Sequence, residues 1–552
     1  MPDLPSHLSK LVERAPDLPT AAAELADNAT IALRFARDAP RWLREPVTAN
    51  AADAQIRERL QACDRRFLTS AARTIYGNPR SPYLALLRSV GCEPGDLHAL
   101  VGQEGLDGAL GVLAARGVYL TLDELKGRSE VVRGSARFWF TRDQFDNHTI
   151  RAHYATYTGG TRGRPTRIGR TLGQVEYAAA TTSAVLRAHA LERPRTVIWQ
   201  TAPVGWLLCL ARIGLPATDW FHPIQPLPSR VRMAGALFRA VGRVSGVRFP
   251  TPRYADLRQP ERMAGWLGDR RAEGRQIAMT TIASMATRTA IAANERGIAL
   301  DHVAFIATSE PTTAVRRAHI EASGARAIVH YAAAEAPNLT YSCATPAAPD
   351  DVHLMTDCYA TVERVRPATV GGPEVRALLI SSLNPEAGTI LLNAELGDYA
   401  HLEQRSCGCA LDALGLRTHL SEIRSFEKLT GEGVTFARGS LERLLEEILP
   451  ARFGGTSLDY QLVEEEAAAG ATRVSLRVHP RVGPLHPDTV VACALDELRR
   501  GGLVDRHQAD LWQVAGTLAV VREAPLATAV GKVMPLHLIR RRPDGERATP
   551  PS

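Results

Sequence analysis

One ten-residue stretch gathers groups that could manage a polyphosphate: Tyr157-Thr158-Gly159-Gly160-Thr161-Arg162-Gly163-Arg164-Pro165-Thr166. Glycines let the backbone come close to an anion, threonine hydroxyls and main-chain N–H groups donate, and two arginines add positive charge. The stretch matches neither the G-x-x-x-x-G-K-[ST] phosphate loop nor a G-x-G-x-x-G turn. Taken alone it is equally a solvated turn, so its meaning depends on the motifs downstream of it.

A second set of residues has metal chemistry. Cys407-Gly408-Cys409 is a tight thiolate pair, and Cys343 and His353 lie upstream in what reads as neighbouring β-structure. Three sulfurs and one imidazole suit a structural Zn²⁺ site. The C-x-C spacing is shorter than the usual C-x₂₋₄-C, Cys358 or His401 could replace one ligand, and the alternative is a group of buried free thiols.

Five further motifs stand downstream of the Gly/Thr loop in fixed order. They are Met279-Thr280-Thr281-Ile282-Ala283-Ser284, Ala307-Thr308-Ser309-Glu310-Pro311-Thr312, Tyr331-Ala332-Ala333-Ala334-Glu335, Glu395-Leu396-Gly397-Asp398 and Gly531-Lys532. With the loop, this order resembles the adenylate-forming superfamily over residues 150–540. Ser309-Glu310-Pro311 before a helix, and Cys407-Gly408-Cys409, place the resemblance in its phenylacetate–CoA ligase-like branch.

The resemblance implies an enzyme in which a carboxylate attacks the α-phosphate of ATP, pyrophosphate leaves, and oriented donors, a cation or Mg²⁺ meet the developing charge. The acyl-AMP would then pass its acyl group to a thiol, that of coenzyme A, with a carrier-protein thiol or an amine as alternative acceptors. In this reading Thr158, Gly159, Gly160, Thr161, Arg162, Gly163 and Arg164 hold the β/γ-phosphates. Tyr331 stacks on adenine, Glu335 contacts Mg²⁺, Asp398 holds the ribose hydroxyls, and Lys532 bridges the attacking carboxylate and the α-phosphate. Arg424-Ser425-Phe426-Glu427-Lys428 resembles the hinge before the small domain, with Arg424 as a ribose or phosphate contact.

Several positions depart from the family pattern. Arg162 and Arg164 stand where relatives carry Thr or Ser and Lys; they keep charge and can bind phosphate in bidentate fashion. Ala332 and Ala334 replace a glycine and a threonine, which removes a hydroxyl near the α-phosphate, and Leu396 replaces a threonine. These changes leave a non-catalytic nucleotide-binding scaffold as the second reading. The acid is not fixed by any residue: its pocket is expected from 199–206, 280–284 and 307–309, and His330 either faces substrate or fills a strand face.

The elements that must position these groups follow from periodicity. Residues 21–37 and 51–68 show apolar spacing near 3.6, and Thr121 with Glu124 forms a capping box for a helix at 122–125. A strand at 136–141 leads through Tyr154-Ala155-Thr156-Tyr157 into the loop, and a helix is predicted over 172–190, giving a strand–loop–helix arrangement that aims N–H groups at phosphate. Strands at 196–199, 277–281, 302–307 and 327–331 alternate with helices at 230–244, 261–271, 285–295 (capped by Ser284) and 312–322, which argues for an α/β domain. Ligands sit beyond the carboxyl ends of such strands, where Glu310 and Glu335 fall. Short strands at 361–366, 375–382 and 389–392 predict a β-rich subdomain, and 441–449, 458–463, 473–478, 488–500 and 517–522 an α+β module.

The fold class is therefore α/β, with a large N-terminal domain and a small mobile α+β C-terminal domain. Its parts are a helical front (1–140), an α/β nucleotide-binding core (141–345), a β-rich subdomain (346–423), the C-terminal domain (424–540) and a polar tail (541–552). At 552 residues and 45% apolar content the chain can bury more than one core. Its net charge of +7 comes from dispersed arginines rather than a basic block, which suits small anionic ligands such as nucleotides, or equally a solvated arginine-rich surface, and gives nucleic-acid binding little support. Eight scattered cysteines do not make a disulfide framework. No leader or membrane-length apolar run is visible, so a cytoplasmic location is expected.

Overall fold

The structure, a computed structural model, describes residues 18–157 and 166–539 apart from 202, 224–226, 228, 257–258, 368–373, 426–429, 432–433, 436–437, 467–471, 501–508, 510–511, 514–517 and 529–530. The expected phosphate-binding residues 158–164, the hinge residues Phe426, Glu427 and Lys428, and the polar tail lie outside the described residues.

Two six-stranded sheets carry the large part of the molecule. The first is wholly parallel, in the order Arg326–His330, Val303–Thr308, Ile277–Ile282, Arg195–Trp199, Asp219–His222 and Pro252–Tyr254. Its central strands, Ile277–Ile282 and Val303–Thr308, are buried along their whole length. Continuous apolar runs rather than alternation are what a sheet covered on both faces requires. The covering helices include Leu172–Ala188, Ala283–Glu295 and Ala314–Ala322.

The second sheet is antiparallel, in the order Thr340–Ser342, Val352–Leu354, Thr418–Ser425, Ala394–Gln404, Glu374–Ser382 and Tyr359–Pro367. One apolar core joins this sheet to the N-terminal helices through residues such as Phe67, Leu87, Leu110, Leu354 and Ile380. A separate core built from Leu441, Leu445, Leu462, Leu476, Leu498 and Trp512 lies in the C-terminal unit. There a four-stranded sheet runs Leu518–Val521, Thr472–Val478, Tyr460–Glu466, Leu536–Ile539, backed by the helix Pro487–Arg500.

The capping box at Thr121 forms as expected: Glu124 N–H donates to Thr121 Oγ1 and Thr121 N–H to Glu124 Oε2. Three local expectations are corrected. The Gly/Thr loop does not run into a helix; its ends are the stem of a hairpin in which Tyr154–Tyr157 pairs antiparallel with Arg167–Arg170. The helix starts only at Leu172, after Thr171 accepts from Gln174 N–H, so the strand Arg167–Arg170 stands between the Gly/Thr stretch and the helix. Residues 389–392 are not a strand: Thr389 makes a single bridge to Asp146, and the strand begins at Ala394. Ser284 is not a cap, because the helix already begins at Ala283; the carboxylate of Glu310 caps it from outside, accepting Ser284 N–H at 2.8 Å.

Among the described residues, no helix is long and apolar enough to cross a membrane.

Candidate active site

The carboxyl ends of the parallel strands present the motif residues on one edge. Tyr331 follows the strand Arg326–His330, Glu310 follows Val303–Thr308, and Ser284 follows Ile277–Ile282. The strand Ala394–Gln404 of the second sheet brings Asp398 to the same place: Tyr331 Oη donates to Asp398 Oδ2 at 2.8 Å. Burial and the neighbouring Asp398 carboxylate push the Tyr331 hydroxyl well above its ordinary pKa, so it stays a donor. Two residues expected at one nucleotide are thus in contact, and Asp398 retains acceptor capacity for a further donor.

Glu335 is buried at 6% exposure, and its Oε1 accepts from the ammonium of Lys126. Lys126 closes the short helix Leu122–Leu125, so the capping box at Thr121 fixes where this cation stands. Arg170, buried at 3%, donates to Thr156 Oγ1, to Gln174 Oε1 and to the Ala334 carbonyl. It ties the hairpin stem to the Tyr331–Glu335 segment. A magnesium ion needs free carboxylate oxygens, and here one oxygen of Glu335 is already held by Lys126. The cation beside Glu335 in the structure is the Lys126 ammonium.

Glu310 was expected to touch a cofactor, and the structure gives it other work. Its Oε2 accepts Ser284 N–H and Arg316 Nη1, at 2.8 and 3.2 Å, and its Oε1 accepts Val533 N–H at 2.7 Å. Both oxygens are occupied, so Glu310 is a positioning residue. What it positions is the turn that carries Gly531, Lys532 and Val533, where Lys532 N–H donates to Thr528 Oγ1 and Thr528 N–H to Lys532 O. Gly531, at φ +88°, supplies the left-handed residue that this turn requires, and Ser284 Oγ reaches its carbonyl at 3.4 Å. The C-terminal lysine is therefore held against the edge that carries the other motifs.

A buried ion network supports this docking. Arg316 pairs with Glu310 and, at 3.3 Å, with Glu446 of the C-terminal unit, whose carboxylate also accepts from Thr313 Oγ1. Arg424, expected at ribose or phosphate, points elsewhere: it pairs with Asp350 at 2.8 Å and with Glu442 at 3.5 Å. Burial opposes its charge, yet Glu442 and Asp350 hold its pKa above the ordinary value. Its backbone is in register with Tyr399, one residue beyond Asp398. Arg424 thus works at the junction of the two units rather than on a ligand.

The cysteine set comes together. The sulfur and imidazole nitrogen atoms of Cys343, His353, Cys407 and Cys409 all lie within 4.8 Å of one another. Cys343 and Cys407 sulfurs are 3.5 Å apart, and His353 Nε2 is 3.7 Å from Cys407 and 3.2 Å from Cys409. Sulfurs bound at about 2.3 Å around one tetrahedral zinc stand about 3.8 Å apart, so the spacing fits. His353 Nδ1 donates to the Leu416 carbonyl at 2.7 Å, which leaves Nε2 as the lone pair facing the sulfurs. Of the alternative ligands, Cys358 lines a cavity elsewhere and His401 is exposed.

Sequence reasoning missed Lys126, Arg170 and Arg316. One signal was available for the first. The chain has four lysines, Lys10, Lys126, Lys428 and Lys532, among 66 lysines and arginines. In so arginine-biased a chain, a lysine marks a position where a compact ammonium is preferred to a planar fork.

No family model and no curated protein matches the chain. Among solved structures it is similar to a 2-hydroxyisobutyryl-CoA ligase in complex with 2-HIB-AMP and CoA, at TM-score 0.41 and 16% identity over 90% of this chain and 91% of that one. It is similar to an ATP-bound RpMatB-BxBclM chimera, at TM-score 0.43 and 13% identity over 77% and 71%. It is also similar to a mutant of the amide bond synthetase Mcba from Marinactinospora thermotolerans, at TM-score 0.39 and 12% identity over 91% and 97%. Likeness at this level says nothing of the reaction, which must be read from the geometry of this chain.

Proposed function

We propose that the protein activates a carboxylic acid with ATP, forming an acyl-AMP and pyrophosphate, and passes the acyl group to the thiol of coenzyme A. The observation that carries this reading is the clamp of Glu310 on Val533 N–H, which sets Lys532 of the C-terminal unit beside the strand-end edge that also carries Tyr331, itself bonded to Asp398. A flexible ammonium brought to an edge of nucleotide-type acceptors suits a step in which negative charge moves onto an α-phosphate oxygen.

In this reading Lys532 draws the attacking carboxylate and the α-phosphate together as a point charge. Asp398 accepts from the ribose hydroxyls while Tyr331 fixes its orientation, and the face of Tyr331 receives adenine. Residues 158–164 enclose the β/γ-phosphates. Lys126 and Arg170 keep the Glu335 segment in place and supply positive charge beside it, and no step is assigned to magnesium. The Cys343, His353, Cys407 and Cys409 set would hold a zinc ion that closes the end of the antiparallel sheet; it has four protein ligands and hence no open position for catalysis.

One observation favours a second reading. The Lys126–Glu335 pair fills the place where the motif calls for a free carboxylate, which suits a scaffold that binds nucleotide without turnover. Incubation with ATP, a panel of carboxylic acids and coenzyme A, followed by mass spectrometry, separates the two. Formation of AMP and an acyl thioester is expected; AMP without thioester moves the acceptor to a carrier protein or an amine. ATP binding with no AMP from any acid contradicts the enzymatic reading.

A further inference from the structure

A cavity of about 190 Å³ lies along the helix Cys63–Ala71 and the single π-helical turn, Ala72–Tyr76, that continues it. Two neighbouring rows of this helical stretch line the cavity, Arg65 with Thr69 and Arg73, and Arg66 with Ser70 and Thr74, each spaced four residues apart. On a helix, the position four residues away is where the carboxylate partner of an arginine commonly stands. Here those positions carry hydroxyls or further arginines, and no acid is among the lining residues.

The wall beyond the helix is fixed by one buried amide. Asn147, 5% exposed, donates from its side-chain nitrogen to the carbonyls of Pro385 and Ala387, and its oxygen accepts the N–H and the hydroxyl of Thr149. Thr149 and Pro385, the two lining residues from outside the helix, are thereby tied together.

The arginines keep charge that the protein does not neutralise. Arg66 donates from Nη1 to the carbonyls of Arg59 and Asp357, and from Nη2 to Tyr177 Oη and the Leu383 carbonyl, all of them neutral oxygens. The carboxylate of Asp357 pairs with Arg59 instead, at 3.4 Å. Arg65 and Arg73 are exposed, and neither side chain is joined to an acid among the described residues. The hydroxyls of Thr69 and Thr74 donate to the carbonyls of Arg65 and Ser70, whereas the hydroxyl of Ser70 has no such bond among the described residues. The free donors on the cavity are therefore Arg65, Arg73, Nε of Arg66 and the Ser70 hydroxyl.

We propose that this cavity binds a compact phosphate-type anion, inorganic phosphate or pyrophosphate. Guanidinium groups match phosphate oxygens two at a time, and a lining that holds three of them and no carboxylate selects negative charge. The size and the walls exclude a larger ligand. The cavity is well below the roughly 300 Å³ at which ordinary small-molecule pockets begin. Pro385 is its one apolar lining residue, so no wall receives a base or an acyl chain. Arg66 also connects the site to a separate cavity of about 290 Å³ that reaches His330 and Ala334, because Tyr177, which accepts from Arg66, lines that cavity. The proposal does not depend on the acid-activating reading.

The test uses the full-length protein. Calorimetry and phosphorus NMR compare phosphate and pyrophosphate with chloride at equal ionic strength. Saturable binding with a dissociation constant of about 1 mM or tighter is expected for at least one of the two. Arg65→Ser and Arg73→Ser, both at exposed positions and so of low folding risk, should each weaken it about tenfold or more. Arg232→Ser removes an equal charge from the exposed surface of another helix and should leave it unchanged. A preference for phosphate or for pyrophosphate identifies the anion, and either upholds the site. Binding that all three substitutions weaken alike is diffuse attraction to net charge and overturns it. Binding that survives both Arg65→Ser and Arg73→Ser belongs elsewhere on the chain and overturns it, as does the absence of binding by either anion to wild-type protein whose melting shows it folded.

Discussion

Lys126 and Glu335 lie 209 residues apart in sequence and meet with side chains 15% and 7% exposed. Removing one partner of a buried pair leaves an uncompensated charge, at a cost of about 3–5 kcal/mol, whereas removing both is far milder. Lys126→Met should therefore lower the midpoint of urea unfolding markedly, and adding Glu335→Leu should restore most of it; a single variant as stable as the wild type would show that the pair does not hold this segment. His330 makes a prediction of opposite type. Its pKa is pushed from the ordinary 6.5 down to about 3 in the fold, so between those values the unfolded chain binds the extra proton. Stability then falls as pH drops through that window, by up to about 1.4 kcal/mol per pH unit from this residue. His330→Phe should flatten the wild-type stability curve between pH 6.5 and 4.5, and parallel curves would contradict the burial of a neutral imidazole. Tyr331 and Asp398 were legible in the sequence because each sits in a motif of the same ordered set. Arg170 was not, because its bond to the Ala334 carbonyl joins residues 164 apart, beyond the reach of any local pattern.

At the scale of elements, Glu310 joins three pieces of chain: the start of the helix Ala283–Glu295, Arg316 of the helix Ala314–Ala322, and the turn before Leu536–Ile539. Glu310→Gln replaces one acceptor by a donor facing N–H groups. It should weaken docking of the C-terminal turn by about 1–3 kcal/mol. Hydrogen exchange at the Val533 amide should quicken at least tenfold, with the Leu441–Trp512 core unaffected; unchanged protection at Val533 would contradict the clamp. Sequence periodicity predicted both helices but assigned the first to a Ser284 cap, since a cap supplied by a carboxylate 26 residues away leaves no local trace. The parallel strands were legible as continuous apolar runs, and the hairpin strand Arg167–Arg170 was not, because it is only four residues long and two of them are arginines. The cysteine set converges because Tyr341 and His353 are cross-strand partners in register. Purified in chelator-free buffer, the protein should carry about one zinc, and Cys409→Ser should lose it and melt earlier; less than about a tenth of an equivalent in the wild type would refute the site.

The whole molecule is a large body of two sheets onto which a unit with its own core is fastened by charge. Buried pairs such as Arg316 with Glu446 specify a geometry more than they add stability, because desolvation offsets much of their attraction. At this junction directed bonds, Arg316 with Glu446 and Glu310 with Val533 N–H, hold Lys532 beside the sheet edge. Periodicity marked an α+β stretch after residue 424, and in the structure that stretch has its own apolar core. The work of Arg424 was not legible: its ion pairs with Asp350 and Glu442 depend on how the units meet, which no stretch of sequence records. The most direct measurement is acid-dependent ATP–pyrophosphate exchange by the wild type and by Lys532→Ala, with a panel of carboxylic acids and with thermal melting as a control for folding. Exchange should need the acid and should fall about a hundredfold or more in the variant at unchanged melting temperature. Exchange that survives the substitution, or that never appears with any acid while ATP still binds, would contradict a lysine-assisted adenylation.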